Sequence, residues 1–513
     1  MKLHLLSIAL LITSNLFAQF PVRDTSFHFD GHVNTPMGIN NDYANQLLTQ
    51  SDGKIIAAGY QTDNPTFGPQ RIALARYLQN GNIDSTFGVN GKSILAFSSQ
   101  DWCNTAVILP NDKIIIAGQN TSGMLVARLN SNGNIDSTYG TNGITVLSAG
   151  AGMSSGINHI CLLPDGSLIA AGSSQIIGSN DFELKIVKYT SAGQIDNSFG
   201  VNGIVMPAFN YITVSPGKVL VKNDGKILVA GKVSSDQFGT IVTESFLTQL
   251  NPDGSIDSSF ANNGLGVYTP GKGFQDMVFF NNKIIAIANF GTNVQGTSGD
   301  IGVYRYNSDG SVDSTFGVNG STSVFVDSYA EYGNALVVQP DGGILVGGSF
   351  FNFGGGTGTD CLILRFLYDG TIDTSFGING IFKTGVSSGT DAISDMLLTS
   401  DNNLVVCGYG HYINNFDFIV GKIKLDINLT VDIKASTNSE LQLYPNPVHD
   451  VINIISSNAS SGYDFVNMQG QCVKTVVVNE GLQQINIEDL TPGVYIMSKK
   501  GQSKIYYQKI IRH

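Results

Sequence analysis

Short apolar runs separated by turn residues fill most of the chain. In residues 47–59, for example, the runs at Leu47 and at Ile55 flank Asp52 and Gly53. Asp-Gly between two apolar runs is a strong β-hairpin signal, because both turn residues tolerate positive φ. The arrangement recurs around Lys113, Ser167, Lys226, Lys283, Gly342 and Asn403. The pattern predicts repeated antiparallel strand pairs, with strand A before the turn and strand B after it.

Two further signatures follow each hairpin. The first is an apolar strand C that carries one cationic residue, which is Arg76 in the first unit. The second is a turn, as in Asp84 to Gly91, that contains Asp, an aromatic residue, Gly and then Asn-Gly, and strand D follows it. The Asp recurs at Asp136, Asp196, Asp257, Asp313 and Asp373. From Asp84 to Asp373 five units span 289 residues, about 58 each. A partial copy, Asp24 to Gly31, opens the mature chain.

Four short strands in a repeated unit of roughly 40–60 residues are typical of β-propeller blades. The sequence therefore predicts an all-β chain, with a seven-bladed β-propeller of four-stranded blades over residues 19–425. A solenoid is the alternative. Because the chain opens with the end of a unit, residues near 29–34 are expected to supply strand D to the last blade and close the ring. The repeated Asp is expected to bond backbone amides, and the aromatic residue to fill the gap between blades.

The repeat resembles the delta-60 type repeat, a β-propeller family of exported bacterial proteins, over residues 24–430. Two copies depart from the pattern. The fourth has Gln249 in place of the cation and Ala261 in place of Gly, and the fifth has Asn281 and Asn282 in place of Asp-Gly. Irregular blades are expected there.

Both ends of the chain differ from the repeat. Residues 1–18 predict a secretory signal peptide, with Lys2 before a short apolar run and Ala18 at its end. Residues 426–440 form a predicted polar linker, and the apolar alternation in 441–513 predicts a small β-sandwich. A transmembrane segment after signal removal is not predicted, since no later apolar run is long enough.

Residues 441–513 resemble the C-terminal sorting domain of the type IX secretion system. The residues that carry this sorting motif are Tyr444, Pro445, Asn446, Pro447, Gly470, Gly493 and Lys509. The resemblance implies the type IX secretion machinery as a partner, a host of the Bacteroidetes type and removal of the tail. It also implies a secreted or outer-membrane cell-surface location. An ordinary accessory β-domain is the alternative.

Composition excludes several classes of function. A net charge of −12 without a basic stripe argues against nucleic acid as a partner. Five cysteines without a C-x-x-C pair argue against a disulfide framework. Neither a His/Cys cluster nor a G-x-S-x-G motif occurs, so catalytic residues, an enzyme activity and a cofactor are not predicted. A calcium site at the turn from Asn307 to Asp313 is a secondary hypothesis, and a simple turn explains the same residues.

The best site hypothesis comes from the connections. The A–B and C–D links are short repeated turns on one face, the turn face, whereas the B–C and D–A links of the opposite loop face vary, which favours binding there. Its aromatic residues are candidates for contact with a ligand, and packing of the same residues against the blade edges is the alternative. They are Tyr60, Trp102, Phe238, Phe290, Phe351, Phe353 and Tyr412, of which Trp102 is placed in a D–A loop.

Four acidic residues precede strand A at similar places in their units. They are Asp42, Asp101, Glu331 and Asp391. They are predicted to ring one mouth of the central channel and attract a cation, with local turn capping as the alternative.

The sequence predicts a secreted or cell-surface binding or adhesion module for a glycan or protein ligand. An extracellular polysaccharide hydrolase or lyase, and a structural surface component, are the alternatives.

Overall fold

The structure is a computed structural model, and the residues that it describes are 21–63, 68–179, 181–237, 240–268, 273–289, 300–324, 326, 331–352, 358–387, 389–412, 414–425, 441–444, 448–456, 460–467, 472–491, 493–499 and 507–512. Strands and turns, and no helix, make up these described residues. No helix long and apolar enough to cross a membrane is found in them. The described part begins at Pro21, so the predicted signal peptide (1–18) and the predicted linker (426–440) both lie outside it.

Antiparallel pairing groups the strands of residues 22–424 into blades of four strands, and the last sheet also contains a short fifth strand from the N-terminal segment. Two N-terminal strands come first: β1 (Val22–Arg23) and β2 (His32–Thr35). Blade 1 contains β3 (Asp42–Thr49), β4 (Ile55–Thr62), β5 (Gln70–Tyr77) and β6 (Lys92–Leu95). Blade 2 contains β7 (Asp101–Ile108), β8 (Ile114–Asn120), β9 (Gly123–Leu129) and β10 (Ile144–Ser148). Blade 3 contains β11 (Met153–Leu162), β12 (Leu168–Ile176), β13 (Phe182–Tyr189) and β14 (Ile204–Val205).

The remaining blades follow the same order. Blade 4 contains β15 (Thr213–Val221), β16 (Ile227–Gln237), β17 (Thr240–Leu250) and β18 (Leu265–Tyr268). Blade 5 contains β19 (Phe274–Phe280), β20 (Lys283–Asn289), β21 (Ile301–Asn307) and β22 (Ser321–Val324). Blade 6 contains β23 (Glu331–Val338), β24 (Ile344–Asn352), β25 (Gly358–Phe366) and β26 (Ile381–Thr384). Blade 7 contains β27 (Asp391–Leu398), β28 (Leu404–Tyr412) and β29 (Asn415–Lys424), completed by β2.

The N-terminal segment closes the ring. Strand β2 pairs with β29 from His32 opposite Gly421 to Thr35 opposite Phe418, so residues near 29–34 supply strand D as predicted. The first strand of each blade contacts the first strand of the next, and β27 of blade 7 contacts β3 of blade 1. These first strands are therefore innermost. The predicted all-β propeller of four-stranded blades is confirmed.

The repeated residues link each blade to the next one. In blade 1, Arg76 Nε lies 2.9 Å from Asp84 Oδ2, and the Arg76 guanidinium lies 4.8 Å from the centre of the Phe87 ring. Phe87 has no exposed surface, and a Cβ added to Gly133 of blade 2 would lie 2.6 Å from its ring. Phe87 thus fills the gap between two blades, as predicted, and the same contact with a glycine recurs at Phe27, Tyr139, Phe199, Phe260 and Phe316.

Blades 4 and 5 each keep four strands, and blade 4 is joined to blade 3 by a parallel bridge between Phe182 and Thr213. Gln249 Nε2 replaces the missing cation by donating to Asp257 Oδ2 at 2.6 Å. Ala261, Asn281 and Asn282 adopt φ of 47°, 48° and 60°, the region that glycine supplies elsewhere. Other residues therefore meet the same backbone requirement at a modest cost.

The C-terminal segment forms two small sheets. They contain β30 (Leu441–Tyr444), β31 (Val451–Ser456), β32 (Ser461–Asn467), β33 (Cys472–Val478), β34 (Gly481–Asn486), β35 (Gly493–Lys499) and β36 (Tyr507–Arg512). One sheet has the order β30-β31-β34 and the other β33-β32-β35-β36. Ile452 from the first sheet and Phe465 from the second belong to one buried cluster, as in a β-sandwich.

Candidate ligand-binding face

Every innermost strand carries a one-residue bulge at the same position. In β3, Ala44 pairs with Gly59 and Gln46 with Ala58, so Asn45 is the extra residue. The other six innermost strands have equivalent register shifts. We call the seven residues that follow the bulge the central ring. They are Gln46, Thr105, His159, Lys218, Asp276, Ala335 and Asp395.

The central ring contains polar contacts that cross from blade to blade. Lys218 Nζ of blade 4 lies 2.9 Å from Asp276 Oδ1 of blade 5, and Asp276 Oδ2 accepts the Leu336 amide of blade 6 at 2.8 Å. Asp395 Oδ2 of blade 7 accepts Gln46 Nε2 of blade 1 at 2.6 Å. The ring therefore ties blades together through charged and polar groups, where most of the interior is apolar.

Burial and charge shift the ionisation of these groups. Burial raises the pKa of Asp395 to about 6, although Lys218 opposes the shift. Burial, together with Lys218, holds the pKa of His159 well below its usual value, so this imidazole is neutral at pH 7. Burial would lower the pKa of Lys218, but Asp276 and Asp395 raise it. Lys218 in the central ring therefore stays protonated, beside the acidic side chains of Asp276 and Asp395.

A cluster of aromatic side chains lies where blades 7 and 1 meet on the loop face. We call it the tyrosine cluster; it consists of Tyr43, Tyr60, Tyr409 and Phe416. The ring centre of Tyr43 lies 5.3 Å from that of Tyr60, 5.1 Å from that of Tyr409 and 5.6 Å from that of Phe416. All four side chains are half-buried. Within the described residues, no hydrogen bond engages the hydroxyl groups of the three tyrosines.

Register extends this aromatic character to the neighbouring blades. Tyr43 is the second residue of its innermost strand, and Trp102 and Tyr332 hold the same position in blades 2 and 6. Blades 3 and 4 have Gly156 and Ser215 there. Aromatic residues therefore occupy one side of the ring, over blades 6, 7, 1 and 2. We call Tyr43, Tyr60, Trp102, Tyr332 and Tyr409 the aromatic arc.

The aromatic residues that were predicted to bind a ligand do not form one group in the structure. Tyr60 lies in the tyrosine cluster, and Trp102 lies in strand β7 rather than in the loop where it was placed. Phe351 is half-buried in β24. Tyr412 Oη donates to the Val386 carbonyl at 2.7 Å and lies 3.2 Å from His32 Nε2, so it fastens the closing strand. Three predicted residues lie outside the described residues: Phe238, Phe290 and Phe353.

The four acidic residues are fully buried at the start of their strands: Asp42, Asp101, Glu331 and Asp391. Asp101 Oδ2, for example, accepts the amides of Phe97 and Ser98 at 2.7 and 2.9 Å. Asp42 and Asp391 accept the equivalent loop amides. This geometry favours turn capping over a ring of acids at the channel mouth.

The described residues contain no group of three or more His, Cys, Asp or Glu side chains that could hold a metal ion. In the turn considered for calcium, Asp309 Oδ1 accepts the Ser311 amide at 2.9 Å and Asp313 Oδ2 lies 2.8 Å from Arg305 Nε. Both carboxylates thus take part in the repeated turn.

The sorting motif is described in part. Tyr444 is exposed at the end of β30, Gly493 begins β35, and Lys509 in β36 is opposite Ile496. The other members of the motif lie outside the described residues: Pro445, Asn446, Pro447 and Gly470.

The fold is that of a β-propeller followed by a small β-domain, and two family models match these parts. Residues 442–513 match the secretion system C-terminal sorting domain. Six segments match the family described as domain of unknown function (DUF5122) beta-propeller, namely residues 50–87, 109–139, 163–199, 222–260, 281–316 and 339–376. The predicted propeller repeat and type IX sorting tail are confirmed. The protein is therefore exported by type IX secretion to the cell surface or the extracellular space.

Solved structures resemble the chain at low identity. PorZ, a surface component of the type IX secretion system of Porphyromonas gingivalis, is 12% identical, with a TM-score of 0.39 over 94% of this chain and 60% of PorZ. The β-propeller domain of the Trilobed protease from Pyrococcus furiosus is 9% identical, with a TM-score of 0.39 over 75% of this chain and 95% of that domain. An α-L-arabinofuranosidase from Fusarium graminearum is 12% identical, with a TM-score of 0.38 over 76% of this chain and 97% of the enzyme. The chain thus spans less than two thirds of PorZ. A comparison with curated proteins finds no match.

Proposed function

We propose that this exported propeller is a non-catalytic binding protein that holds a glycan on the aromatic arc. The proposal rests on the tyrosine cluster. Its half-buried rings offer apolar faces for the C–H side of a sugar, and its hydroxyl groups are available to bond sugar hydroxyls. Tyr332, 47% exposed, extends the same surface on blade 6.

The loops beside the cluster support binding because they are fixed in advance. The Phe416 amide donates to Asn41 Oδ1 at 3.0 Å, and Asn415 Nδ2 donates to the Asn40 carbonyl at 2.9 Å. The Thr62 amide donates to the Asn41 carbonyl at 2.9 Å. A preorganised surface loses less conformational entropy when a ligand binds, so more of the contact energy contributes to affinity.

The test is a binding screen of the full chain against soluble starch, xylan, mannan and β-glucan, followed by calorimetry. We expect Tyr60→Ala to weaken binding up to about tenfold, because a stacked aromatic residue contributes about 0.5–1.5 kcal/mol. Phe29→Ala is the matched control, since Phe29 is 90% exposed on the turn face. Unchanged affinity in a folded Tyr60→Ala variant, or binding to none of the glycans, would contradict the proposal.

A hydrolase is the second candidate, and one observation favours it. Asp395 is half-buried in the central ring with a pKa of about 6, which suits a general acid. Release of reducing ends from the same glycans, abolished in Asp395→Asn, would support that function over simple binding. Self-association that depends on concentration, without glycan binding, would instead favour a structural surface component.

A further inference from the structure

Three blades cap the loop before the innermost strand in the same way, which allows an internal comparison. In blade 2, Asp101 Oδ2 accepts two loop amides, and Asp101 Oδ1 accepts the Ser98 hydroxyl at 2.8 Å. In blade 7, Asp391 Oδ2 accepts two amides in the same manner, and Asp391 Oδ1 accepts the Ser387 hydroxyl. In both blades a serine therefore supplies the donor for the second carboxylate oxygen.

Blade 1 lacks that donor. Asp42 Oδ2 accepts the amides of Met37 and Gly38 at 2.6 and 3.1 Å, but Gly38 replaces the serine. Asp42 has no exposed surface, and its Oδ1 has no hydrogen-bond partner among the described residues. A buried carboxylate oxygen without a donor is strongly disfavoured.

Gln61 occupies the space of the missing serine side chain. Its Oε1 lies 2.9 Å from the position of a Cβ on Gly38, and Gln61 is directly opposite Asp42 in the neighbouring strand. Gln61 Nε2 donates to Asp63 Oδ1 at 3.2 Å, which sets the orientation of the amide. Gln61 Oε1 is also buried and, within the described part, without a partner. Directly opposite residues of an antiparallel pair have side chains on the same face of the sheet, and Asp42 and Gln61 each have one buried acceptor without a donor among the described residues.

We propose that Asp42 is protonated in the folded protein and donates a hydrogen bond from Oδ1 to Gln61 Oε1. A single proton then satisfies both buried oxygens, as the serine hydroxyl satisfies the acid in blades 2 and 7. The loop that Asp42 caps leads from the closing strand β2 into blade 1. The proton therefore makes the closure of the ring sensitive to pH.

The charged surroundings agree with a neutral Asp42. Asp417 on β29 lies nearby, and its own oxygens accept Asn34 Nδ2 at 2.9 Å and Asn415 Nδ2 at 3.1 Å. Lys92 on β6 is the nearby cation, but its Nζ donates to the Pro36 carbonyl at 2.5 Å. Beyond Gln61, Asp63 is paired with Arg71 Nε at 2.7 Å.

These groups set the sign of the pH effect. Burial raises the pKa of Asp42 to about 7, and Asp417 adds to the shift against the loop amides and Lys92. Because this pKa is higher in the folded than in the unfolded chain, the stabilisation is fully present at acidic pH. It is lost as the pH rises through about 7.

The test measures the thermal midpoint of the full chain between pH 5 and 9. Asp42→Asn keeps an acceptor for the loop amides and gains an amide donor for Gln61. We expect it to raise the midpoint at pH 9 by several degrees and to flatten its pH dependence. Asp101→Asn is the matched control; both oxygens of Asp101 accept hydrogen bonds, so we expect it to lower the midpoint without changing the sign of the effect across the measured range.

Two results would overturn the proposal. One is a lower midpoint in Asp42→Asn with the pH slope of the wild type. The other is a wild-type midpoint at pH 9 that rises with added sodium or calcium ions, since these oxygens would then bind a cation instead of a proton. If Asp42→Asn does not fold, the double variant Gly38→Ser with Gln61→Ala restores the serine cap of blade 2. We expect that double variant to show a flatter pH profile, and an unchanged slope there would also contradict the proposal.

Discussion

The contact between Phe87 and the next blade gives the clearest test of what holds the ring together. Phe87 is fully buried, belongs to the apolar cluster between blades 1 and 2, and carries the Arg76 guanidinium over its ring. We therefore expect Phe87→Ala to remove packing and a cation–π contact together, and to leave a cavity beside Gly133.

The structure sets the size of the effect. Truncating a fully buried Phe costs about 3–5 kcal/mol, and a desolvated cation–π pair adds about 1 kcal/mol. A domain is stable by about 5–15 kcal/mol in total, so the expected loss of about 4–6 kcal/mol is a large fraction of the free energy of unfolding. Val89→Ala is the matched control, because Val89 lies two residues away and is 76% exposed. We expect that control to stay within about 0.5 kcal/mol.

The assay is equilibrium unfolding of the full chain in urea, followed by tryptophan fluorescence. Trp102 is the single tryptophan, and it lies in blade 2, so the signal reports the propeller and not the tail. A loss below about 1 kcal/mol in Phe87→Ala, with an unchanged slope in urea, would refute the packing argument. An equal loss in Val89→Ala would mean that the turn itself, rather than the aromatic contact, carries the stability.

Two further predictions concern single residues. The Ser198 hydroxyl and Lys188 hold the pKa of Asp196 down to about 2. We therefore expect Asp196→Asn to lower the urea midpoint above pH 4, and the difference from the wild type to vanish as the pH falls through about 2. A difference that persists at the lowest pH would contradict this prediction. Val33→Pro in the closing strand is expected to open blade 7, because proline cannot donate to the strand ladder and Val33 is opposite Val420. Faster hydrogen exchange of the backbone amides in residues 415–424 would show that the blade has opened, and exchange in β12 of blade 3 is the internal control. Unchanged exchange in both segments would contradict the role of the closing strand.

Much of the fold could be predicted from the sequence, because its signals are local and periodic. An Asp-Gly turn needs only the residues beside it, and seven hairpin turns with Asp-Gly or with Asn and Asp in its place specify repeated strand pairs. The partial copy at Asp24 predicted closure by the N-terminal strand, since a unit without a strand D must borrow one. The type IX sorting tail was predicted from the sequence as well, and both the closure and the tail are confirmed.

The candidate site depended on tertiary structure. Tyr43 and Tyr409 are far apart in the chain and meet because blade 7 closes on blade 1. Lys218 and Asp395 face the same centre only because bulges turn one residue of each innermost strand toward it. Alignment of the seven units at the bulge is the signal that would have found the central ring.

The acids show the same division. The sequence placed Asp42, Asp101 and Asp391 at equivalent points of their units, which the structure confirms as the first residues of innermost strands. Their burial could not be predicted, because it depends on the loops folding over them. The contrast between Gly38 in blade 1 and Ser98 in blade 2 is visible in the sequence. Its meaning appears only when Gln61 from the neighbouring strand is seen in the space of the missing side chain.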